Sequence, residues 1–503
     1  MILNYAEYKD KVNACWIGKN IGGTMGTPYE GKREYLDIKG FVTKKGEVLP
    51  NDDLDLQLVW LLALEQIGPY NISAATLGDY WVSFITPHWN EYGIGKNNLK
   101  RGLIPPLAGD YNNHWKDSNG AWIRTEIWAS SVPGCPAAAA RFAIEDAKVD
   151  HGAGEGTFAA AFVAAMQSAA YVVKDIRKCI EIGLASIPET CRVQKTIRYV
   201  LDAYDKGVSH KDCRNGVQQL NADLGDGWFE SPSNVGYTVI GLIYGEGDFK
   251  KSMIAAINCG DDTDCTGATL GATLGILNGM AGIPEDWREY LGEDIITLSI
   301  AHGNNARKLP KNCSELTERV VQLAPIALFA TRTKAAHYAH SVDVLIDKTS
   351  ATEIPDNIYD KLLGEANNIR GEFAELKPYM MHFQNVCFSA DVTLSPTPDI
   401  DPDGEVRVHI DFDNRCGIEG HENTPYNLSL RYILPDGFSV IGARRSLYLD
   451  EWSPHTAKCT PRYASLDFVI KASESVETIN RIVVEVVAEG RPNIMYIPIT
   501  LLG

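Results

Sequence analysis

Two hydrophobic periods divide the chain. From the N-terminus to about residue 365, apolar side chains recur at helical spacing. "LDLQLVWLLALEQ" after Asp53, "AAAARFAIEDAKV" after Pro136 and "SELTERVVQLAPIALFA" from Ser314 have the length and residue types of helices. Alternating strand patterns are nearly absent there. After Lys377 alternation takes over: in "EVRVHIDFD" Val406, Val408, Ile410 and Phe412 alternate with polar partners, the period of a half-buried strand. "NLSLRYIL", "SLDFVIKA" and "RIVVEVVAE" repeat it, punctuated by turn chemistry such as "PDG" and "SES". The pattern predicts a multidomain α + β chain, all-α over 1–370 and an antiparallel, immunoglobulin-like β-sandwich over 371–503.

One helical stretch breaks the ordinary rules. "CGDDTDCTGATLGATLGILNG" at 259–279 places Asp261, Asp262 and Asp264 together and then glycine at 267, 271, 275 and 279. Glycines four apart share one ridge of a helix, a bare strip on which another helix can approach closely, and each costs up to about 1 kcal/mol against Ala. Three carboxylates at such a helix's mouth repel one another unless a cation sits among them; a cap alone needs only one. A second acidic mouth occurs at "PNDDLDLQLVW", where Asp52 and Asp53 precede an apolar helix and Asp55 shares the face of Asp52. The donors are oxygens apart from Cys265, so the expected metal is hard, Mg²⁺ first and Mn²⁺ or Ca²⁺ next, and two clusters suit two ions.

Length and composition fit an enzyme of two or more domains: 503 residues, 45% hydrophobic and 22% charged. A net charge of -18 without basic runs argues against nucleic acid as a partner. The first residues are charged from Glu7 onward and lack a secretion signal, and the longest apolar runs are interrupted by polar residues, so no membrane partner is expected. Eleven scattered cysteines read as reduced thiols, and the expected location is cytoplasmic. Asn113, Asn119 and Arg124 lie in a Gly- and Asn-rich segment suited to sugar hydroxyls or phosphate, a composition that surface turns share.

At these residues the chain resembles the ADP-ribosylglycohydrolase family in five places, in the same order. "ACWIGKNIGGTMGTPYEG" resembles its first motif and maps a mobile active-site glutamate onto Glu30. "NDDL" resembles its "TDDT", "SNGAWIR" (Ser118, Asn119, Gly120 through Arg124) its substrate-cradling loop, and "DTDC" its "GGDTDT". Between the last two, "DHGAGEGTFAAAFVAAM" resembles the family's histidine before an Ala-rich helix and places His151 near substrate.

The resemblance implies an all-α orthogonal bundle holding two Mg²⁺, with Asn51, Asp52, Asp53, Asp262, Asp264 and Cys265 as the ligand set. Glu30, Asp53 and Asp262 would serve catalysis, and Asn113, Ser118, Asn119, Gly120, Arg124 and His151 substrate binding. The threonines of both family metal motifs are replaced, by Leu54 or Asn51 and by Cys265. The expected activity is Mg²⁺-dependent hydrolysis at the anomeric carbon of an ADP-ribosyl or related glycosyl substrate, protein-linked or small. The alternatives are a carbohydrate or nucleoside glycosidase on the same fold and a catalytically silent sugar-binding protein; oligomerisation through the β domain is open.

Overall fold

Glycine spacing decides how the helical part is assembled. The structure is a computed structural model that describes residues 1–225, 227–301, 309–333, 343–374, 376–385, 387–414, 425–450 and 463–503. Helix α1 (Tyr5–Gly26), capped by the Asn4 side chain on the Ala6 and Glu7 amides, carries glycine at 18, 22 and 26. The glycine helix of the sequence reading, Thr263–Asn278, runs antiparallel against it. A Cβ built on Gly18 would lie 2.1 Å from the Gly271 carbonyl oxygen, on Gly26 2.2 Å from that of Thr263, and on Gly275 2.2 Å from that of Ala14. The partner of the bare strip is thus a second bare strip, and backbone meets backbone from Ala14 to Gly26, about three turns.

The other helices that shape the site are α2 (Asp52–Ile67), α3 (Pro136–Ala147), α4 (Glu155–Ala170) and α5 (Ser231–Tyr244), with the glycine helix as α6. The Asn51 side chain caps α2 and Gly68, at φ 73°, ends it; Gly279, at φ 67°, ends α6. Both α2 and α6 are buried nearly all round, which their apolar composition dictates. A three-residue parallel pair, Ile2–Asn4 with Leu345–Asp347, also occurs here, too short for alternation to reveal. Among the described residues no helix is long and apolar enough to cross a membrane.

The chain divides into two compact units, Met1–Gly93 with Asn113–Glu375, and Ile94–Asn112 with Leu376–Gly503. In the second, strands β1 (Met380–Gln384), β2 (Phe388–Ser395), β3 (Glu405–Asn414), β4 (Tyr426–Ile433), β5 (Ser439–Ile441), β6 (Ser446–Leu449), β7 (Tyr463–Lys471), β8 (Ile479–Ala488) and β9 (Ile494–Leu502) form two antiparallel sheets. Their orders are β1-β2-β3-β7-β5 and β9-β8-β4-β6. The alternating face of β3, Val406 to Phe412, is buried in one core with Leu428, Ile482, Val484 and Ile497. Leu103, Leu107 and Tyr111 join that core, so this unit recruits a segment from the helical part of the sequence, which a single boundary near residue 371 does not foresee.

Candidate metal and catalytic site

The antiparallel glycine contact fixes where the acidic helix mouths meet. Because Gly26 abuts Thr263, the turn that leaves α1 delivers Glu30 beside the start of α6. Gly23 on a different face of α1 sits against the Asn51 side chain, so the same helix end also abuts the start of α2. Asp261 secures the turn. Its backbone is in the left-handed region (φ 66°), its amide donates to the Lys32 carbonyl (2.6 Å) and its carbonyl accepts from the Gly31 amide (2.8 Å). The Asp261 carboxylate is taken by Asn234 Nδ2 at 3.0 Å and the Phe229 amide at 3.4 Å, which makes it a clamp rather than a free ligand.

The convergence produces two donor groups, Asp53 with Asp264 and Cys265, and Glu30 with Asp262 and Asp264; within each group the ligand atoms lie within 4.8 Å of one another. Asp264 is common to both. Among the described residues both oxygens of Asp53 and one each of Asp262 and Asp264 are buried without a hydrogen-bond partner. Burial, then repulsion from neighbouring carboxylates, pushes all three well up; for Asp53 Lys19 opposes this, as Asp264 and Cys265 do for Asp262. Burial and Asp52 likewise push up Glu30, although its side chain is exposed. Orphaned buried oxygens on mutually repelling carboxylates are what a bound dication relieves, so the residues fit divalent metal. Burial and the surrounding aspartates hold Cys265 as a neutral thiol.

The only cation buried beneath this cluster among the described residues is Lys19. Its Nζ lies 3.0 Å from Glu126 Oε2 and 3.7 Å from Asp53 Oδ1, and donates to the Ile123 carbonyl at 2.7 Å. Burial alone would lower its pKa; Glu126 and Asp53 outweigh this and raise it. One ammonium shared between two carboxylates leaves the rest of the cluster uncompensated.

A cavity of about 300 Å³ opens on the cluster, lined by Glu30, Asp52, Ser118, Asn119, Gly120, Asp262, Asp264 and Cys265 among others. Asn119 reaches across the site: its Nδ2 donates to Asp262 Oδ2 at 2.6 Å while its Oδ1 accepts from Trp122 Nε1. Asp52 belongs to neither donor group; its Oδ2 accepts from Tyr92 Oη at 2.9 Å.

Other expected site residues stand elsewhere. Asn51 Oδ1 accepts from the Asp53 amide at 2.7 Å, so its carbonyl is engaged in the helix cap, and Asn51 falls in neither donor group. Arg124 and His151, expected at substrate, are fully buried and absent from the cavity wall. Arg124 binds Asp146 (2.9 Å) and Asp150 (2.7 Å), and His151 Nδ1 lies 2.9 Å from Asp150 Oδ1. Both lie one layer behind the cavity, held by Asp146 and Asp150. Asn113 is spent on the Asp150 carbonyl and the Trp115 amide. Missed from sequence were Lys19, Trp89, Glu91, Tyr92 and Phe229. The buried Lys19 sits within the quoted "CWIGKNIGG", and a lysine in an otherwise apolar, Gly-rich helix was the available signal.

No curated protein matches the chain. Among solved structures, one titled "ADP-ribosylglycohydrolase-related protein complex" is similar at 20% identity and a TM-score of 0.43, over 64% of this chain and 99% of that one. A model of the ADP-ribosylglycohydrolase family matches residues 4–340, a span holding Glu30, both acidic helix mouths and the loop that carries Asn119. On that match the chain belongs to the ADP-ribosylglycohydrolase family.

Proposed function

We propose that the protein is a divalent-cation-dependent hydrolase of ADP-ribosyl-type glycosidic bonds, with two Mg²⁺ (Mn²⁺ as substitute) held by Asp53, Asp262 and Asp264. The observation that carries this is the set of orphaned buried oxygens on Asp53, Asp262 and Asp264, brought together by the α1–α6 contact. When bound, the metal supplies Lewis acidity and a lowered pKa for water at the anomeric carbon. The chain's own groups do the rest. Asn119 orients the Asp262 carboxylate and Tyr92 that of Asp52. Glu30, exposed at the cavity, accepts the proton of the attacking water. Trp89 and Phe229 supply apolar faces for a sugar ring or base.

The β unit is proposed as an immunoglobulin-like accessory module: its central strands β2-β3-β7 and β9-β8-β4 follow the order of such sandwiches.

The experiment is a thermal melt after chelation, repeated with MgCl₂ and MnCl₂, followed by incubation with ADP-ribosyl-arginine, ADP-ribosyl-serine and a glycoside panel. A cation-dependent rise in Tm with turnover lost in Asp262→Asn is expected. No shift with either cation, or turnover that persists in the variant, overturns the reading. A cation shift without turnover of any substrate leaves a metal-binding scaffold instead.

A further inference from the structure

Glu91 is a carboxyl on the cavity wall outside the aspartate cluster. It lies in the first turn of the helix Asn90–Lys100, is 5% exposed, and lines the cavity with Ser118, Asn119 and Gly120. One oxygen, Oε1, packs against Gly120, where a Cβ would come within 2.2 Å of it; this is a close approach that only glycine permits. The other, Oε2, has no hydrogen-bond partner among the described residues.

The neighbouring buried carboxylates are different. Glu126 accepts from Gln57 and Gln167 and pairs with Lys19, and Asp150 accepts from Arg124 through both oxygens. Glu126 and Asp150 are saturated, whereas Glu91, like Asp55, keeps one buried oxygen without a partner among the described residues, which costs stability unless a proton or a ligand occupies it.

We propose that Glu91 is a second catalytic carboxyl, the proton donor to the departing atom, working opposite in role to Glu30. This rests on the glycohydrolase reading. The bond from the anomeric carbon to the leaving oxygen or nitrogen breaks, its electron pair stays with the leaving atom, and that atom takes the proton of Glu91. The oxygen of water bonds to the anomeric carbon and its proton passes to Glu30; exchange with solvent returns one proton to Glu91 and removes one from Glu30. Two carboxyl groups with separate environments and opposite roles are the general requirement for glycoside hydrolysis.

The surroundings fit a donor. Burial raises the Glu91 pKa and Asp150 reinforces this, while His151 and a hydrogen bond from the Ser118 side chain oppose it. Tyr92 is the other titratable group against it, and Arg124 stands behind Asp150.

The test uses the full chain with Mg²⁺ and two substrates bearing the same glycosyl group, one with an alkyl and one with a 4-nitrophenyl leaving group. An activated leaving group needs no proton. Glu91→Gln is expected to lower kcat on the alkyl substrate by about 100-fold or more, and on the 4-nitrophenyl substrate by less than about 10-fold. Its Mg²⁺-dependent thermal shift should persist, Glu91→Asp should recover part of the alkyl activity, and the basic limb of the kcat–pH profile should disappear in Glu91→Gln. Equal losses on both substrates, or none, overturn the assignment of Glu91 alone. A wild-type chain inactive on both refutes the glycohydrolase reading, and this role with it.

Discussion

Gly22 packs its bare α-carbon onto the carbonyl of Gly267: a Cβ at 22 would lie 2.0 Å from that oxygen and 2.2 Å from its carbon. The obstacle is backbone, which cannot rotate away. Gly22→Ala, despite a gain of up to about 1 kcal/mol in helix propensity, should lose about 2 kcal/mol or more by forcing α1 and α6 apart. Gly271→Ala should do the same. Gly40→Ala, with nothing within 4 Å of the new atom, should be near neutral. Denaturant midpoints check this, and an unchanged midpoint for Gly22→Ala would refute the contact.

Charge removal at Asp264 should have two opposite effects. Its orphaned oxygen and the repulsion from Asp262 make it unfavourable without a cation, so Asp264→Asn should raise the Tm of the chelated protein while abolishing the Mg²⁺-dependent shift. Asp261→Asn, at a left-handed position that Asn tolerates, should retain the shift. Melting curves with and without MgCl₂ separate the two.

Removing the Asn119 amide frees Asp262 without deleting a ligand. Asn119→Ala is expected to lower kcat/KM by about 10- to 100-fold, with a smaller effect on chelated stability than Gly22→Ala. Activity equal to wild type would show that the 2.6 Å bond does not orient Asp262.

Stability should also depend on pH in a signed way. Burial pushes Asp146 up to about 6 despite Arg124 and Trp128, from an ordinary value of 3.8. The folded chain therefore holds that proton longer than the unfolded one, and its contribution is lost as pH rises from about 4 to about 6. Asp150 behaves oppositely: burial would raise it, but Arg124 and His151 outweigh this and hold it at about 2, so its contribution is lost as pH falls below about 4. In Asp146→Asn, less stable overall, the decline from pH 4 to 6 should shrink by on the order of 2 kcal/mol. An unchanged slope in urea titrations would reject this.

How much of this the sequence disclosed depends on where each partner lies. The bare strip at Gly267, Gly271 and Gly275 was legible because period alone defines it, but that its mate is the strip at Gly18, Gly22 and Gly26 is shown only by the folded chain. The acidic mouths were legible for the same local reason. Asp55 was not: it shares a face with Asp52, yet its carboxylate accepts the Leu298 and Ser299 amides, both at 2.5 Å, an anchor supplied by a distant segment. Arg124 and His151 have the chemistry of ligand-binding residues, and only the folded chain shows that Asp146 and Asp150 have already claimed them. Glu91 belongs to no motif, and only the cavity shows its relation to Ser118 and Gly120.

The pairing of α1 with α6 also sets an order of events during synthesis. The first helix leaves the ribosome long before the segment that covers it, so Gly18, Gly22 and the aspartates at 52 and 53 wait while some two hundred further residues emerge. Nascent chains that end before Asp262 lack the second glycine face and half of the acidic cluster. The helical unit therefore completes its innermost contact late, and a truncated product carries an uncovered apolar helix that chaperones or proteases can recognise.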